Sequence, residues 1–398
     1  MSRIIFLNRF YWPETPATGQ LLTDLARDLA AAGHRVTVIA SRPGASVAAG
    51  EVDAGVRIIR LRTPRGAHGS VPAKAVAFVG FTVAAAWRLW REVRRGDIVV
   101  AMTDPPLLGI LATPVIQFRG ARLVHWVQDI YPEVAIAITG HRWLRSLRPW
   151  RNAAWRGAEC CVTVSTGMAD VIAAARVPRR RIAVISNWPP HGLAALARGE
   201  PAVVQRREAW GLAGKFVVAY SGNLGRVHDL EPLIEAAARL RDENRVVFVF
   251  IGGGARRATI EGEVERQGLS NVRFFPSQPR DMLGVTLAVA DVHIVTLRPD
   301  CERYVFPSKL YGVTAVGRPV IFVGSRDGEL ARLVREHGIG VALDRNDPAG
   351  LAAAILALAR EPVTVANYES AALRFGAVHR DRDSIRRWRR LLEDLEAC

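Results

Sequence analysis

Cysteine is scarce. Cys160, Cys161, Cys301 and Cys398 are the only four in 398 residues, too few and too scattered for a disulfide framework. No pair stands at C-x-x-C spacing, which also argues against a zinc site built from cysteine. A dinucleotide-binding glycine turn is missing where it would be needed. The first apolar run ends in NRFYWPE instead of G-x-G-x-x-G, which excludes a nicotinamide-dependent oxidoreductase. The N-terminus, MSRIIFLNRFYWPE, turns aromatic and acidic before any small-residue cleavage site. No secretory signal is therefore expected, and the predicted location is the cytoplasm, peripherally attached to the inner face of the plasma membrane. Aromatic residues (7%) are not interleaved with basic ones on strand-like stretches, so nucleic acid is not an expected partner.

What is present is globular in composition and uneven in charge. Hydrophobic residues at 49% and charged residues at 23% exclude a mainly disordered chain, and the length allows two or three domains. The net charge is +16, yet residues 1–199 hold 26 basic and 12 acidic side chains (+14), while 200–398 hold 28 and 26 (+2). Such asymmetry points to an anionic partner for the first half, either a phospholipid surface or a phosphorylated ligand.

The chain alternates strand-like and helix-like runs. RIIFLN (3–8), a Pro- and Gly-containing loop, QLLTDLARDLAAAG (20–33) and HRVTVIAS (34–41) read as strand, loop, helix and strand, the start of a parallel doubly wound sheet. GDIVVAM (96–102), ARLVHWVQD (121–129), AECCVTVS (158–165) and RIAVIS (181–186) continue it. The rhythm breaks at 190–214 and resumes with strands within 215–225, 245–254, 271–278, 290–297, 318–324 and 338–344. This gives an α/β fold of two doubly wound modules, 1–199 and 200–375, followed by an amphipathic helix within 376–398. The apolar stretch 72–90 is at the lower length limit for a bilayer span. Because a core strand follows it, the alternatives are a buried crossover helix or a helix seated on a membrane surface.

Ligands of open α/β sheets bind outside the carboxyl ends of the strands. The candidate loops are thus 8–20, 41–46, 102–107, 128–133 and 165–168 in the first module, and 221–228, 252–257, 275–280 and 298–309 in the second. Gly19 stands at the mouth of a helix, where backbone N–H groups can receive an anion. SGNLGRVHD (221–229) offers glycines for close approach and Arg226 for charge.

Several segments together resemble the retaining glycosyltransferases of family 4, of GT-B fold, in the branch that builds bacterial surface polysaccharides (fucosaminyl- and colanic-acid-type enzymes). They are FYWPETPATG (10–19), QDIYPE (128–133), VISNWPP (184–190), YSGNLGRVHDL (220–230), IGGGARR (251–257), NVRFFPSQPRDML (271–283) and VFPSKLYGVTAVGRPV (305–320), in family order over nearly the whole chain. The resemblance implies two Rossmann-like domains facing across a cleft, with the last helix returning to the first. It implies that Gly222, Asn223, Gly225, Arg226, His228, Gly253 and Lys309 hold the donor diphosphate. Phe275 and Gln278 would lie near the base, and Tyr304, Pro307, Ser308 and Gly312 would border the donor sugar. On the acceptor side it implies Tyr11, Glu14, Gly19 and Asp104, with Asp129 at the reacting centre. Asp129, Arg226 and Lys309 are the residues expected to carry catalysis.

The implied reaction moves a hexosyl unit from a nucleotide-sugar to a polyprenyl-diphosphate-linked saccharide, with an anionic membrane surface as a further partner. A UDP-sugar, an N-acetylated deoxyhexosamine among the candidates, is expected over a GDP-sugar. No cofactor or metal is expected where arginine and lysine neutralise the phosphates. The chain departs from the family where two glutamates usually stand, at Tyr304 and Gly312, and at Gln128, where many relatives have histidine. A GT-B nucleotide-sugar epimerase is the alternative reading. Individual residues also keep alternatives. His228 reads as a phosphate ligand or as a surface residue opening a helix, Asp129 as a reacting-centre carboxylate or a turn cap, and Glu14 as a loop cap.

Overall fold

The computed structural model describes residues 3–14, 16–42, 50–62 and 71–397, with backbone alone over 71–75. Positions 43–46 of the candidate loop 41–46 lie outside the described residues. The chain forms two compact units, the first of residues 1–187, 303–306 and 382–398, the second of 188–302 and 307–381.

The first unit is built on β1 (Arg3–Leu7), β2 (Arg35–Ser41), β3 (Gly50–Asp53), β4 (Val56–Leu61), β5 (Ile98–Met102), β6 (Arg122–Val127), β7 (Cys160–Thr163) and β8 (Ile182–Val184). They form one eight-stranded sheet in the order β3-β4-β2-β1-β5-β6-β7-β8. Every pairing is parallel except β3 with β4. The second unit has β9 (Phe216–Ser221), β10 (Val246–Ile251), β11 (Val272–Phe275), β12 (Val292–Thr296), β13 (Val320–Gly324) and β14 (Gly340–Asp344), all parallel, in the order β11-β10-β9-β12-β13-β14. Runs such as IVVAM and VVFVFI are buried at every position, as strands covered by helices on both faces must be.

The β3–β4 hairpin has no counterpart in the sequence reading. Its turn is two residues, Ala54 and Gly55, both at positive φ (+47° and +84°), and Ala-Gly is a weaker signal than Asn-Gly. The first unit's long N-terminal stretch runs to Asn187, which exchanges two side-chain hydrogen bonds of 2.9 Å with Gln128, while Arg198 pairs with Asp291 and Glu369 of the second unit. The last helix, Asp381–Ala397, lies on the first unit: Trp388 packs on Trp126 at 4.6 Å and Arg389 pairs with Asp28.

In each sheet the strand order reverses beside the first strand, between β1 and β5 and between β9 and β12. Crossover helices on opposite faces leave a crevice at such a point, at the carboxyl ends of the strands. The loops at both crevices are tied together. Arg9 N donates to Asp104 O at 2.8 Å in the first unit, and Arg298 N to Val227 O at 3.0 Å in the second.

The helix Val71–Glu92 has two apolar faces. Phe81, Ala85 and Leu89 are fully buried in the core, whereas Val76, Val79, Val83 and Trp87 are 55–64% exposed. Among the described residues no single helix is long and apolar enough to cross a membrane.

Asp291 anchors the second unit's core. Its buried carboxylate accepts from Val217 N at 2.6 Å, from Arg207 at 3.3 Å and from Arg198. Asp291→Ala leaves a buried N–H and two guanidinium groups without that acceptor, and is expected to lower unfolding free energy by ~3 kcal/mol in denaturant titration. Glu243→Ala, which removes only the exposed contact to Arg360, should change it by less than about 1 kcal/mol.

Candidate active site

In the second unit β9 and β10 both run directly into glycine. Gly222, Gly252 and Gly254 have φ of +122°, +133° and +142°, a region side chains rarely adopt. A Cβ on Gly252 would lie 2.2 Å from the Gly222 carbonyl oxygen, and one on Gly254 would lie 2.4 Å from Asn223 Oδ1. The two turns are joined backbone to backbone, Gly222 N donating to Ile251 O at 2.8 Å and Leu224 N to Gly253 O at 2.7 Å. Against them stands Lys309, the first residue of the helix Lys309–Ala315. Its Nζ lies 3.5 Å from the Tyr220 ring centroid and 3.8 Å from where a Cβ of Gly222 would be. Nζ is buried without a hydrogen-bond partner among the described residues, and that burial holds its pKa well below the usual lysine value. A cation at a helix N-terminus is unfavourable unless an anion accompanies it. Arg226 is exposed on the same loop.

In the first unit three carboxyl groups follow three strands. Glu14 lies after β1, Asp104 after β5 and Asp129 after β6. Burial raises them to about 7, about 6 and about 7 respectively, and Asp104 adds repulsion at Asp129. Arg9 sits 3.1 Å from Asp104 and draws it back down, though less strongly than burial raises it. Thr103 Oγ1 accepts from the backbone N–H of both Gln128 and Asp129 at 3.2 Å, which sets the Asp129 turn. The peptide bonds Trp12–Pro13, Asp104–Pro105 and Tyr131–Pro132, in the same three loops, are cis. A cavity of about 30 Å³ behind Asp129, lined also by His125, Tyr131 and Arg151, has room for water but not for a sugar. A hollow of about 490 Å³ in the second unit, between 190–196 and 280–285, includes none of the candidate site residues.

Comparison with known proteins accounts for both halves. Residues 18–188 match the glycosyl transferase 4-like domain and 205–374 match the glycosyl transferases group 1 domain. The chain belongs to the family 4 glycosyltransferases. It is 26% identical over 369 residues to a putative colanic acid biosynthesis glycosyl transferase, WcaI of Escherichia coli, covering 87% of this chain and 89% of WcaI. It is 28% identical over 270 residues to a probable glycosyltransferase, WbjE of Pseudomonas aeruginosa, covering 67% of this chain and 66% of WbjE. Its fold is that of HepE of Anabaena, solved with UDP-glucose (TM-score 0.76, 16% identity, 99% of this chain and 100% of that one). A sucrose-phosphate synthase from Thermosynechococcus elongatus shares it too (TM-score 0.79, 18% identity, all of both chains). GT-B is therefore the fold of this transferase, and the epimerase alternative finds no support.

The structure brings Gly222, Asn223, Gly225, Gly253 and Lys309 of the transferase together, and places Pro307 and Ser308 at the start of the Lys309 helix. Other expected residues have different surroundings. His228 is buried, not on the surface. Its Nδ1 lies 2.7 Å from Thr296 O, and burial together with Lys309 lowers it to about 3, so it is neutral. Phe275 lays its ring on Trp210 at 3.9 Å. Gln278 bonds Pro276 O at 2.9 Å. Tyr304 belongs to the first unit, where its carbonyl accepts from Ile130 N at 2.8 Å. Gly312 is buried, and a Cβ on it would touch Leu287 and Leu193 at 3.5 and 3.8 Å.

Gly19 has a packing reason: a Cβ there would lie 3.0 Å from Phe10 Cβ. Tyr11 is fully buried, with its hydroxyl unpaired among the described residues. Sequence reasoning missed Arg9, Thr103 and Tyr220. Arg9 stands within the candidate loop 8–20, but its partner Asp104 is 95 positions away, and no local signal links them.

The raised carboxyls give a pH signature. A group that ionises at about 7 when folded and near 4 when unfolded holds more protons in the folded state between those values, so stability falls as pH rises from 4 to 7 and stays lowered above. Asp129→Asn should therefore raise the thermal midpoint at pH 8 and leave it nearly unchanged at pH 4. Equal shifts at both values would contradict the burial argument.

Proposed function

We propose that the transferase moves a sugar, with retention, from a nucleotide diphosphate donor to a polyprenyl-diphosphate-linked saccharide in bacterial exopolysaccharide, capsule or O-antigen synthesis. The observation that carries the reading is the buried Lys309 side chain beside two interlocked glycine turns, its Nζ without a hydrogen-bond partner among the described residues and set against N–H donors. Charge develops on the leaving diphosphate, so fixed donors there stabilise the transition state. Lys309, Arg226 and the amides of 222–225 and 253 take that role. The acceptor hydroxyl attacks from the face the diphosphate leaves, the anomeric C–O bond breaks with its electron pair going to phosphate oxygen, and that oxygen receives the hydroxyl proton. No protein nucleophile is required. Asp129, with Asp104 beside it, orients the acceptor.

A UDP-sugar is favoured over GDP because HepE, of the same fold, was solved with UDP-glucose. Titration calorimetry with UDP and GDP tests this, and binding of neither below millimolar concentration defeats the donor reading. Alanine at Lys309 or at Arg226 should lower turnover by ~10²-fold with the fold retained. Wild-type turnover in both variants would remove them from the mechanism.

The first unit is proposed to rest on the inner leaflet, where the polyprenyl chain lies. The exposed stripe Val76, Val79, Val83, Trp87, the exposed Phe118 stacked on Trp90 at 5.0 Å, and the exposed Arg91, Arg94 and Arg95 support this. Apolar side chains flanked by arginine suit an interfacial helix on anionic lipid, at about 1 kcal/mol per basic residue near the surface. Flotation with anionic vesicles should succeed at 0.05 M salt and fade by 0.5 M, since the Debye length shrinks several-fold. Failure to float at low salt would refute docking, and resistance to alkaline extraction would indicate a spanning segment.

A further inference from the structure

Tyr220 is not among the residues the donor reading uses, yet it touches two of them. It is the penultimate residue of β9, fully enclosed, and its ring face lies under Lys309 Nζ at 3.5 Å. Its hydroxyl donates to the carbonyl of Asn223 at 2.8 Å, in the turn that starts at Gly222. The ring cannot easily turn away. His228 stands edge-on to it at 5.8 Å and is itself fixed on Thr296 O, and Phe250 lies at 6.0 Å on the other strand.

We propose that Tyr220 is a positioning residue of the donor site, its ring face carrying the Lys309 ammonium and its hydroxyl fixing the Gly222–Asn223 turn for a nucleoside diphosphate. This rests on the reading that Lys309 meets the donor diphosphate. The negative face of an aromatic ring attracts a cation, and most strongly where water is excluded. A buried lysine otherwise has two ways out of its desolvation, either losing its proton or swinging toward solvent. The Tyr220 ring opposes both, favouring the protonated amine in place before any phosphate arrives. The hydroxyl acts on the other half of the site. It holds the carbonyl side of the turn so that the amides after it keep their direction.

The charged and titratable groups facing Lys309 and Tyr220 are His228, His293 and Arg256. Burial lowers the two histidines to about 3 and about 4, so neither changes charge between pH 7 and 10, and Arg256 is paired with Glu231. Over that range the terminal phosphate is already ionised, since its second pKa is near ~6. The bases of UDP and GDP also lose a ring proton toward the top of this range, so the part of the alkaline fall in affinity that is present in the wild type and absent from Lys309→Met reports Lys309.

Calorimetric titration with UDP and GDP, which present the same diphosphate, is measured at steps between pH 7 and 10 for the wild type, Tyr220→Leu, Tyr220→Phe and Lys309→Met. Tyr220→Leu, lacking the ring, should move the alkaline fall in affinity down by about one pH unit, the size of a buried cation–π contribution expressed as a pKa change. Tyr220→Phe keeps the ring and should leave the fall in place while weakening binding several-fold at every pH, through the lost turn contact. If Tyr220→Leu fails to fold, phenylalanines of increasing ring fluorination at position 220 replace it, and the fall should move down stepwise.

An unmoved fall in Tyr220→Leu or across the fluorinated series, with Lys309→Met impaired, overturns the ring's role and leaves the Lys309 reading standing. A Tyr220→Phe that binds like wild type overturns the hydroxyl's role. A Lys309→Met that binds like wild type defeats the Lys309 reading, and the role of Tyr220 falls with it.

Discussion

A parallel sheet whose strand order reverses cannot be covered by its own crossover helices at the point of reversal. Both sheets of this chain have such a point, beside β1 and beside β9, and the buried carboxyls of the first unit and the buried lysine of the second lie at or next to it. Around the first lie the cis-proline loops and three carboxyls, and around the second the glycine turns and a buried lysine. The rest of each unit is apolar packing that keeps those strand ends in register, as the fully buried runs of β5 and β10 show.

The two units carry opposite electrostatic imbalances. In the first, burial drives Glu14, Asp104 and Asp129 toward their neutral forms, with Arg9 as a partial counterweight. In the second, burial works against a cation whose neighbour is an aromatic face instead of an acid. Titratable groups so perturbed concentrate at functional sites, because a stability-only design would pair them or replace them. Asp291, buried and fully engaged by Val217 N, Arg207 and Arg198, shows in the same unit what a purely structural charge looks like.

The helix Val71–Glu92 carries a second imbalance. Ordinary crossover helices are apolar on one face. This one is apolar on both, with Phe81 and Leu89 inside and Val79 and Trp87 outside, and arginines cluster at its end. Composition alone left burial and membrane seating as alternatives. The packing shows that neither excludes the other, since a single helix serves the core with one face and leaves the other outward.

The sequence by itself determined the fold class and the alternation of strands and helices, because continuous β-branched runs separated by amphipathic ones allow little else. It also located the strand-end loops and the glycine turns, and through its motifs the family. It did not determine which glycines are obligatory. Gly252 and Gly254 are, since their Cβ atoms would collide with Gly222 O and Asn223, whereas a Cβ on Gly253 meets nothing within 4 Å. Nor did it place Tyr304 with Ile130, bury His228, or give Gly312 leucine neighbours. Those outcomes depend on strands far apart in the chain lying side by side, such as β9 against β12. The contact of Tyr220 with Lys309 spans 89 positions for the same reason. Local pattern reports which face of an element is apolar, and only the assembled sheet decides what that face meets.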